Sequence, residues 1–223
     1  MSEAPEGSAD GPPPPMSKPR LETFSDGVFA IAITLLVLTI AQPSDFHRLA
    51  HQLASRWPSL AAYVVSFAVI GIMWLNHHTV FANLARVDRP FFFLNLALLA
   101  TVAFLPYPTG VFGTALGRGE DTRVAAVFYS ATMLVNAVCW AGLWVYASSG
   151  RRLLVAGFPE PRRSTVLFTA GVGVYAVALG IAFLNAYACL AFHAALAVYY
   201  ALDPLARVRS AAPRLPSSPE PSD

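Results

Sequence analysis

Arg20–Thr39, RLETFSDGVFAIAITLLVLT, is polar and charged over its first seven residues and almost wholly apolar after them. A helix built from this stretch would carry a polar group at its start and an apolar surface along the rest of its length. About 20 helical residues span the 30 Å or so of hydrocarbon in a bilayer. The stretch therefore predicts a first membrane helix whose N-terminal end is polar.

Residues of the apolar part recur at helical spacing and form a stripe on one side of this helix. The stripe comprises Phe24, Ile31, Thr34, Leu35 and Leu38. Asp26 lies about 140° from Ile31 on a helical wheel, so its carboxylate belongs to a different face. The Thr34 hydroxyl can line a water path or bond back to the carbonyl four residues earlier. Spacing alone is compatible with a stripe that packs against another helix and with one that borders a water path.

The whole chain has the composition of an integral membrane protein. Of its 223 residues, 56% are hydrophobic and 13% are charged, against about 25% charged in a soluble domain. Mean hydropathy is +0.53. No segment alternates as a membrane β-strand would. The composition thus predicts an all-α integral membrane protein that has the lipid bilayer, and no nucleic acid, as a partner.

Six apolar blocks predict six membrane helices in one domain, residues 18–205. The blocks cover about 21–41, 59–82, 91–112, 124–147, 165–183 and 186–202. The last two divide a single apolar run at Asn185, because the run is too long for one span. Pro106 and Pro108 are expected to kink or end the third span. The flanking segments, 1–17 and 206–223, are predicted to be disordered tails.

Lysine and arginine are distributed unevenly over the two sides of this six-span arrangement. Both tails and the loops near residues 86 and 151–163 share one side, which holds eleven of the fifteen basic residues. The other side holds Arg48, Arg56, Arg118 and Arg123. The positive-inside rule then places both termini in the cytoplasm of a multi-pass protein in the cell membrane.

Asp26 needs a partner, because an unpaired carboxylate near a membrane boundary is costly. The candidates are Arg20 and a polar group in the second span, namely Trp74, Asn76, His77 and His78. Trp74 and His78 are four residues apart and share a helix face. One interpretation is a latch between the first two spans that senses protons through the histidines. The other is a set of ordinary polar residues at a wet helix end.

Motifs for enzyme chemistry or metal binding are weak. Residues 171–175, GVGVY, lie in a continuous apolar segment without the pore-loop context of a carbonyl filter. His47 and His51 have metal-ligand spacing but no convincing third ligand, which favours a solvated loop. The chain carries no nucleophile–base pair and no phosphate-binding loop. We therefore expect a protein that is not an enzyme and uses no cofactor or metal.

Three stretches together resemble the transmembrane protein 175 family of potassium channels. The motif R-x-x-x-F-S-D is met by Arg20, Phe24, Ser25 and Asp26. The stretch GIMWLNHHTVF follows in the second span, and LPYPTG occupies Leu105–Gly110. The resemblance covers residues 18–205.

The resemblance implies a potassium-selective, leak-type channel that permits potassium ions to pass without a TVGYG filter. It implies a homotetramer of six-helix subunits whose first helices line a central pore. Ile31 would form the narrowest hydrophobic ring, and Thr34, Leu35 and Leu38 would continue the lining. The helix would be held by a network comprising Arg20, Phe24, Ser25, Asp26, Trp74, Asn76, His77 and His78. A non-conducting membrane scaffold remains an alternative, because it could carry the same apolar stripe, and so does a proton-coupled transporter that uses His77 and His78.

Overall fold

The structure is a computed structural model that describes residues 17–43, 46–151, 153–158 and 162–202. These residues form eight α-helices: α1 (Lys18–Leu35), α2 (Leu49–Ser55), α3 (Trp57–Ala82), α4 (Arg89–Phe104), α5 (Pro106–Arg118), α6 (Thr122–Ser148), α7 (Arg162–Leu184) and α8 (Ala186–Ala201). Short 3₁₀ turns cover Leu36–Thr39, Phe46–Arg48 and Ser149–Arg151. The predicted tails, except Ser17, lie outside the described residues.

Four helical segments are long and apolar enough to cross a membrane. They are Lys18–Thr39, Trp57–Ala82, Arg89–Arg118 and Thr122–Ser148. Two further apolar helices, Phe168–Leu184 within α7 and Ala186–Ala201, are shorter. Asn185 separates α7 from α8, and its side chain caps α8 by accepting a hydrogen bond from the Ala188 N–H at 2.9 Å. The fold is therefore helical with several candidate spans, while the count of six spans stays a prediction.

The third predicted span consists of two helices. α4 ends at Phe104, and α5 begins at Pro106 and continues beyond residue 112 to Arg118. Pro106 and Pro108 lie in the first turn of α5, where helical N–H groups have no partner within the helix, so the prolines begin a helix here. Gly119 ends α5 with φ +71°, and its N–H donates to the Ala115 carbonyl at 2.9 Å.

One end of the bundle gathers the start of α1, the α3–α4 loop and the α6–α7 loop. The Lys18 ammonium donates to the Leu84 carbonyl at 2.6 Å. Leu84 forms an isolated antiparallel bridge with Leu154, and the Ala85 N–H donates to the Leu153 carbonyl at 2.8 Å. These contacts bring together the loops that the charge distribution assigns to one side.

At the opposite end, α5 lies close to α3 and to the end of the first span. A Cβ atom added at Gly113 would lie 2.9 Å from Ser59 Cα, and the Ser59 hydroxyl donates to the Gly113 carbonyl at 2.9 Å. A Cβ atom at Gly110 would lie 2.9 Å from Thr39 Cβ. The two glycines thus permit close approach between backbones.

Candidate functional site

α1 has one buried face and one exposed face. It packs against α3 and α4 through Leu21, Ser25, Phe29 and Ala32, and the following turn buries Leu36. The predicted apolar stripe lies on the exposed face: Ile31 is 61% exposed and Leu38 is 75% exposed, whereas Leu36 is fully buried. Leu35 and Thr34 are exposed as well. The chain therefore leaves this stripe largely uncovered by its own described residues.

The end of the first span is wound more tightly than the rest. Leu36–Thr39 is 3₁₀-helical and follows directly on α1. The Thr34 hydroxyl donates to the Ile31 carbonyl at 2.8 Å, three residues back and not four, and the Thr39 hydroxyl donates to the Leu36 carbonyl at 2.7 Å. Because the only hydrogen of the Thr34 hydroxyl is used, its oxygen offers acceptor lone pairs on the exposed face.

A buried hydrogen-bond chain joins α1, α4 and α3. The Ser25 hydroxyl donates to the Leu21 carbonyl at 2.8 Å and accepts from Asn95 Nδ2 at 3.0 Å. Asn95 Oδ1 lies 2.9 Å from His77 Nε2. Since Asn95 Oδ1 can only accept, Nε2 carries the imidazole hydrogen. The exposure of Ser25, Asn95 and His77 is 0%.

The other imidazole nitrogen, His77 Nδ1, has no hydrogen-bond partner among the described residues. The ring stacks on Phe81 with centroids 4.3 Å apart and meets Trp140 edge-on. Protonation of Nδ1 would bury an unsatisfied donor, so this arrangement suits a neutral imidazole.

A second, more exposed layer joins α1 to α3. Trp74 Nε1 donates to Asp26 Oδ1 at 2.9 Å. Glu22 Oε1 lies 3.4 Å from His78 Nδ1, an ion pair whenever His78 is protonated. Glu22 and Asp26 are four residues apart on α1, as are Trp74 and His78 on α3, so the pairs lie on successive turns. The indole and imidazole rings also stack, 6.1 Å between centroids.

Three of the predicted network residues are not part of these two layers. Arg20 is exposed, and no ion pair joins it to a carboxylate within the described residues. Phe24 is half-exposed on the same side as Ile31. Asn76 makes no side-chain hydrogen bond with a described residue and borders a cavity on another side of α3. The structure therefore brings together Ser25, Asp26, Trp74, His77 and His78, and leaves these three apart.

Sequence reasoning missed two members of the network, Asn95 and Glu22. Asn95 lies in FFFLNLALL, where a lone amide among apolar residues is itself a signal, because polar groups in a membrane segment are costly unless bonded. The only sequence signal at Glu22 is that an acidic residue is typical of the start of a helix. No local pattern connects Glu22 to His78.

The remaining histidine pair lies far from this network. His47 belongs to a 3₁₀ turn and His51 to α2. Across the described part of the chain, no group of three or more metal-ligating residues occurs, and Asp45, the neighbouring carboxylate, lies outside that part.

Comparisons with known proteins match the region that contains both layers. A family model described as the endosomal/lysosomal potassium channel TMEM175 matches residues 20–106. A potassium channel of Streptomyces collinus is 44% identical over 200 residues, which cover 87% of this chain and 97% of that protein. The human endosomal/lysosomal proton channel TMEM175 is 39% identical over 102 residues, 41% of this chain and 20% of that protein.

A solved structure has a similar fold. The crystal structure of a lysosomal potassium-selective channel TMEM175 homolog from Chamaesiphon minutus aligns with a TM-score of 0.75 at 39% identity. The alignment covers 87% of this chain and 98% of that one. The likeness therefore extends over nearly the whole of that relative.

Proposed function

This chain belongs to the TMEM175 family, and we propose that it is a potassium-selective, leak-type channel whose pore is lined by α1. Relatives of nearly full-length similarity carry the name of potassium channel. The observation that carries the proposal is the two-faced α1, which is fastened to its own subunit on one side and exposes an apolar stripe on the other. Such a stripe needs either lipid or further copies of the chain to cover it.

In the proposed homotetramer, the stripes of four α1 helices surround a central axis. Ile31 forms the narrowest ring, and Leu35 and Leu38 continue the wall. A ring of isoleucine side chains has no oxygen to replace the hydration shell of an ion, so a narrow ring stops ions by dewetting. Conduction then requires the α1 helices to move apart or rotate, so that the ring becomes wider. The Thr34 oxygens, with acceptor lone pairs on the same face, are the polar groups that favour a partly dehydrated cation.

The two hydrogen-bonded layers anchor the pore helix in this proposal. Ser25 through Asn95 and His77, and Asp26 through Trp74, fasten the first two turns of α1 to α3 and α4. The part of α1 beyond Phe29 makes no such polar contact with a described residue of another helix, and the apolar packing of Ala32 and of Leu36 in the following turn holds it instead.

The proposed orientation has six spans, with both termini in the cytoplasm of a cell-membrane protein. In this arrangement α7 and α8 form a short hairpin at Asn185, and the basic loops that meet at Leu84 and Leu154 face the cytoplasm.

Potassium flux into liposomes that contain the purified protein tests the function. We expect flux down a potassium gradient without any proton gradient. Ile31→Asn should raise the flux several-fold and reduce the preference for K⁺ over Na⁺, because a polar side chain lowers the cost of wetting the ring. Val177→Asn is the matched control, because Val177 is similarly exposed, at 56%, but lies on α7.

The same assay separates the alternatives. Flux that requires a pH gradient would support a proton-coupled transporter, and an intact oligomer without flux would support a scaffold. A pH-sensitive dye in the same vesicles measures proton flux, since the human relative is named a proton channel. Wild-type conductance and selectivity in Ile31→Asn would overturn the pore assignment.

A further inference from the structure

A cavity of about 250 Å³ lies between α3, α6, α7 and α8, away from the exposed face of α1. Its walls come from the second halves of α3 and α6, the first half of α7 and the end of α8. The cavity therefore lies toward the end of the bundle where α1 begins. Tyr199, which is 57% exposed, stands among its lining residues and marks an opening to the outside.

Several polar groups on the cavity wall have a donor or an acceptor without a partner among the described residues. The amide of Asn76 and the hydroxyls of Tyr175 and Tyr200 make no hydrogen bond with a described residue. Asn136 donates through Nδ2 to the Thr101 hydroxyl at 2.6 Å, but its Oδ1 accepts nothing from the described chain. Polar groups left unpaired within a membrane bundle are costly. The cavity wall therefore has unused capacity both to donate and to accept hydrogen bonds.

The rest of the lining is apolar or aromatic and, within the described residues, contains no charged side chain. Trp140 and Phe168 provide ring surfaces, stacked with centroids 5.9 Å apart. An ion would find neither a counter-charge nor a coordinating carboxylate here. An apolar cavity of about 150 Å³ already holds a benzene ring, so this one has room for a substituted ring or a short alkyl chain.

We propose that this cavity binds a small neutral amphiphile, an apolar ring or short chain with one hydrogen-bonding end. The apolar part contacts Trp140 and its neighbours, and the polar end reaches the amides of Asn76 and Asn136 or the two tyrosine hydroxyls. This combination, a mainly apolar lining with a few convergent polar groups, is that of ligand sites in general. The proposal concerns binding alone and does not depend on ion conduction.

Photolabelling of the purified full-length protein with a diazirine-bearing alkylphenol tests the site, with modified residues mapped by mass spectrometry. We expect labels on cavity-lining residues, and we expect 2,6-di-isopropylphenol to compete at least about tenfold better than 1,3-di-isopropylbenzene after correction for partition into detergent, because the benzene lacks the hydrogen-bonding hydroxyl. Equal competition by the two compounds would contradict the proposed polar contacts.

Two glycines on α7 supply a matched pair of variants. Gly171 lines the cavity and a Cβ atom there meets nothing within 4 Å, so Gly171→Leu should fill the space and abolish labelling of the lining. A Cβ atom at Gly173 also meets nothing within 4 Å, but that residue is exposed and outside the lining, so Gly173→Leu should label as wild type. Undiminished labelling in a folded Gly171→Leu protein, or labels spread over lipid-exposed residues such as Val198, would overturn the proposal. Should Gly171→Leu fail to fold, the competition on unmodified protein still decides.

Discussion

Asn95 connects three helices through one side chain. From α4 it donates to Ser25 of α1 and accepts from His77 of α3, and all three groups are inaccessible to solvent. Because each donor and acceptor in the chain has a single consistent assignment, removal of Asn95 leaves the His77 Nε2–H without an acceptor, while the Ser25 hydroxyl loses a donor but keeps its bond to the Leu21 carbonyl. The Asn95 amide therefore helps to fix the position of α1 relative to both α3 and α4.

Asn95→Leu should lower the free energy of unfolding by about 1–3 kcal/mol, because it leaves the buried His77 Nε2–H without a hydrogen-bond acceptor. Trp74→Phe should cost less, near the 0.6 kcal/mol or so typical of a single hydrogen bond between membrane helices, because Trp74 is 43% exposed. Thermal unfolding of both variants in the same detergent shows which substitution destabilises the protein more. A larger loss for Trp74→Phe would contradict it.

Residues of the network differ in how well sequence could predict them. Trp74 and His78 share a face by local spacing, and the structure places them opposite Asp26 and Glu22. The link from Ser25 to His77 depends on α4, a helix distant in sequence, so no local pattern contains it. Asn76 is adjacent to His77 yet faces a cavity, since one residue along a helix turns the side chain by about 100°.

Two glycines of α5, Gly113 and Gly117, lie one turn apart and face Ser59 of α3. Gly113 permits the backbone of α5 to approach Ser59, whereas a Cβ atom at Gly117 would meet only the Ser59 hydroxyl at 3.8 Å, an ordinary contact. The two sites share a helix and a neighbour and differ in available space.

Gly113→Ala should therefore destabilise the protein while Gly117→Ala should not. The added methyl at residue 113 would meet a backbone atom at 2.9 Å, which cannot move without shifting α3. We expect a loss of about 1–3 kcal/mol, as for other overpacked sites, and a change within about 0.5 kcal/mol at Gly117. Comparable unfolding temperatures for the two variants would show that α5 adjusts freely.

At the level of helices, a hydrophobic run predicts that a helix exists better than it predicts the residues at which that helix begins and ends. The runs at 59–82 and 124–147 correspond closely to α3, Trp57–Ala82, and α6, Thr122–Ser148. The break at Leu105 and the extension to Arg118 were harder to predict, because Pro106 is compatible with a helix end and with a helix start. The 3₁₀ turn at Leu36–Thr39 has no clear signature in a run of leucine, valine and threonine.

For the molecule as a whole, the contacts among Lys18, Leu84 and Leu154 collect three segments at one end, and the proposed orientation places that end in the cytoplasm. Ala85 is exposed at this end, and Glu120 is exposed in the loop after α5. In the proposed orientation, the two positions lie on opposite sides of the membrane.

Single cysteines at these positions test the orientation, in a background with Cys139 and Cys189 replaced by alanine. A membrane-impermeant maleimide applied to intact cells should label Glu120→Cys, and should label Ala85→Cys only after lysis. The reverse pattern would invert the proposed topology, and labelling of both from outside would contradict the span assignment.

The tightly wound Leu36–Thr39 segment couples length to rotation. Each 3₁₀ residue rises about 2.0 Å and turns about 120°, against about 1.5 Å and 100° in an α-helix. Rewinding these four residues as α-helix would shorten the segment by about 2 Å and swing Leu38 by about 60° relative to Ile31. In this segment a change in length is therefore accompanied by a rotation of the side chains. The segment ends where Thr39 packs closely against Gly110. In the proposed tetramer, a small axial pull there would change which side chain faces the pore axis.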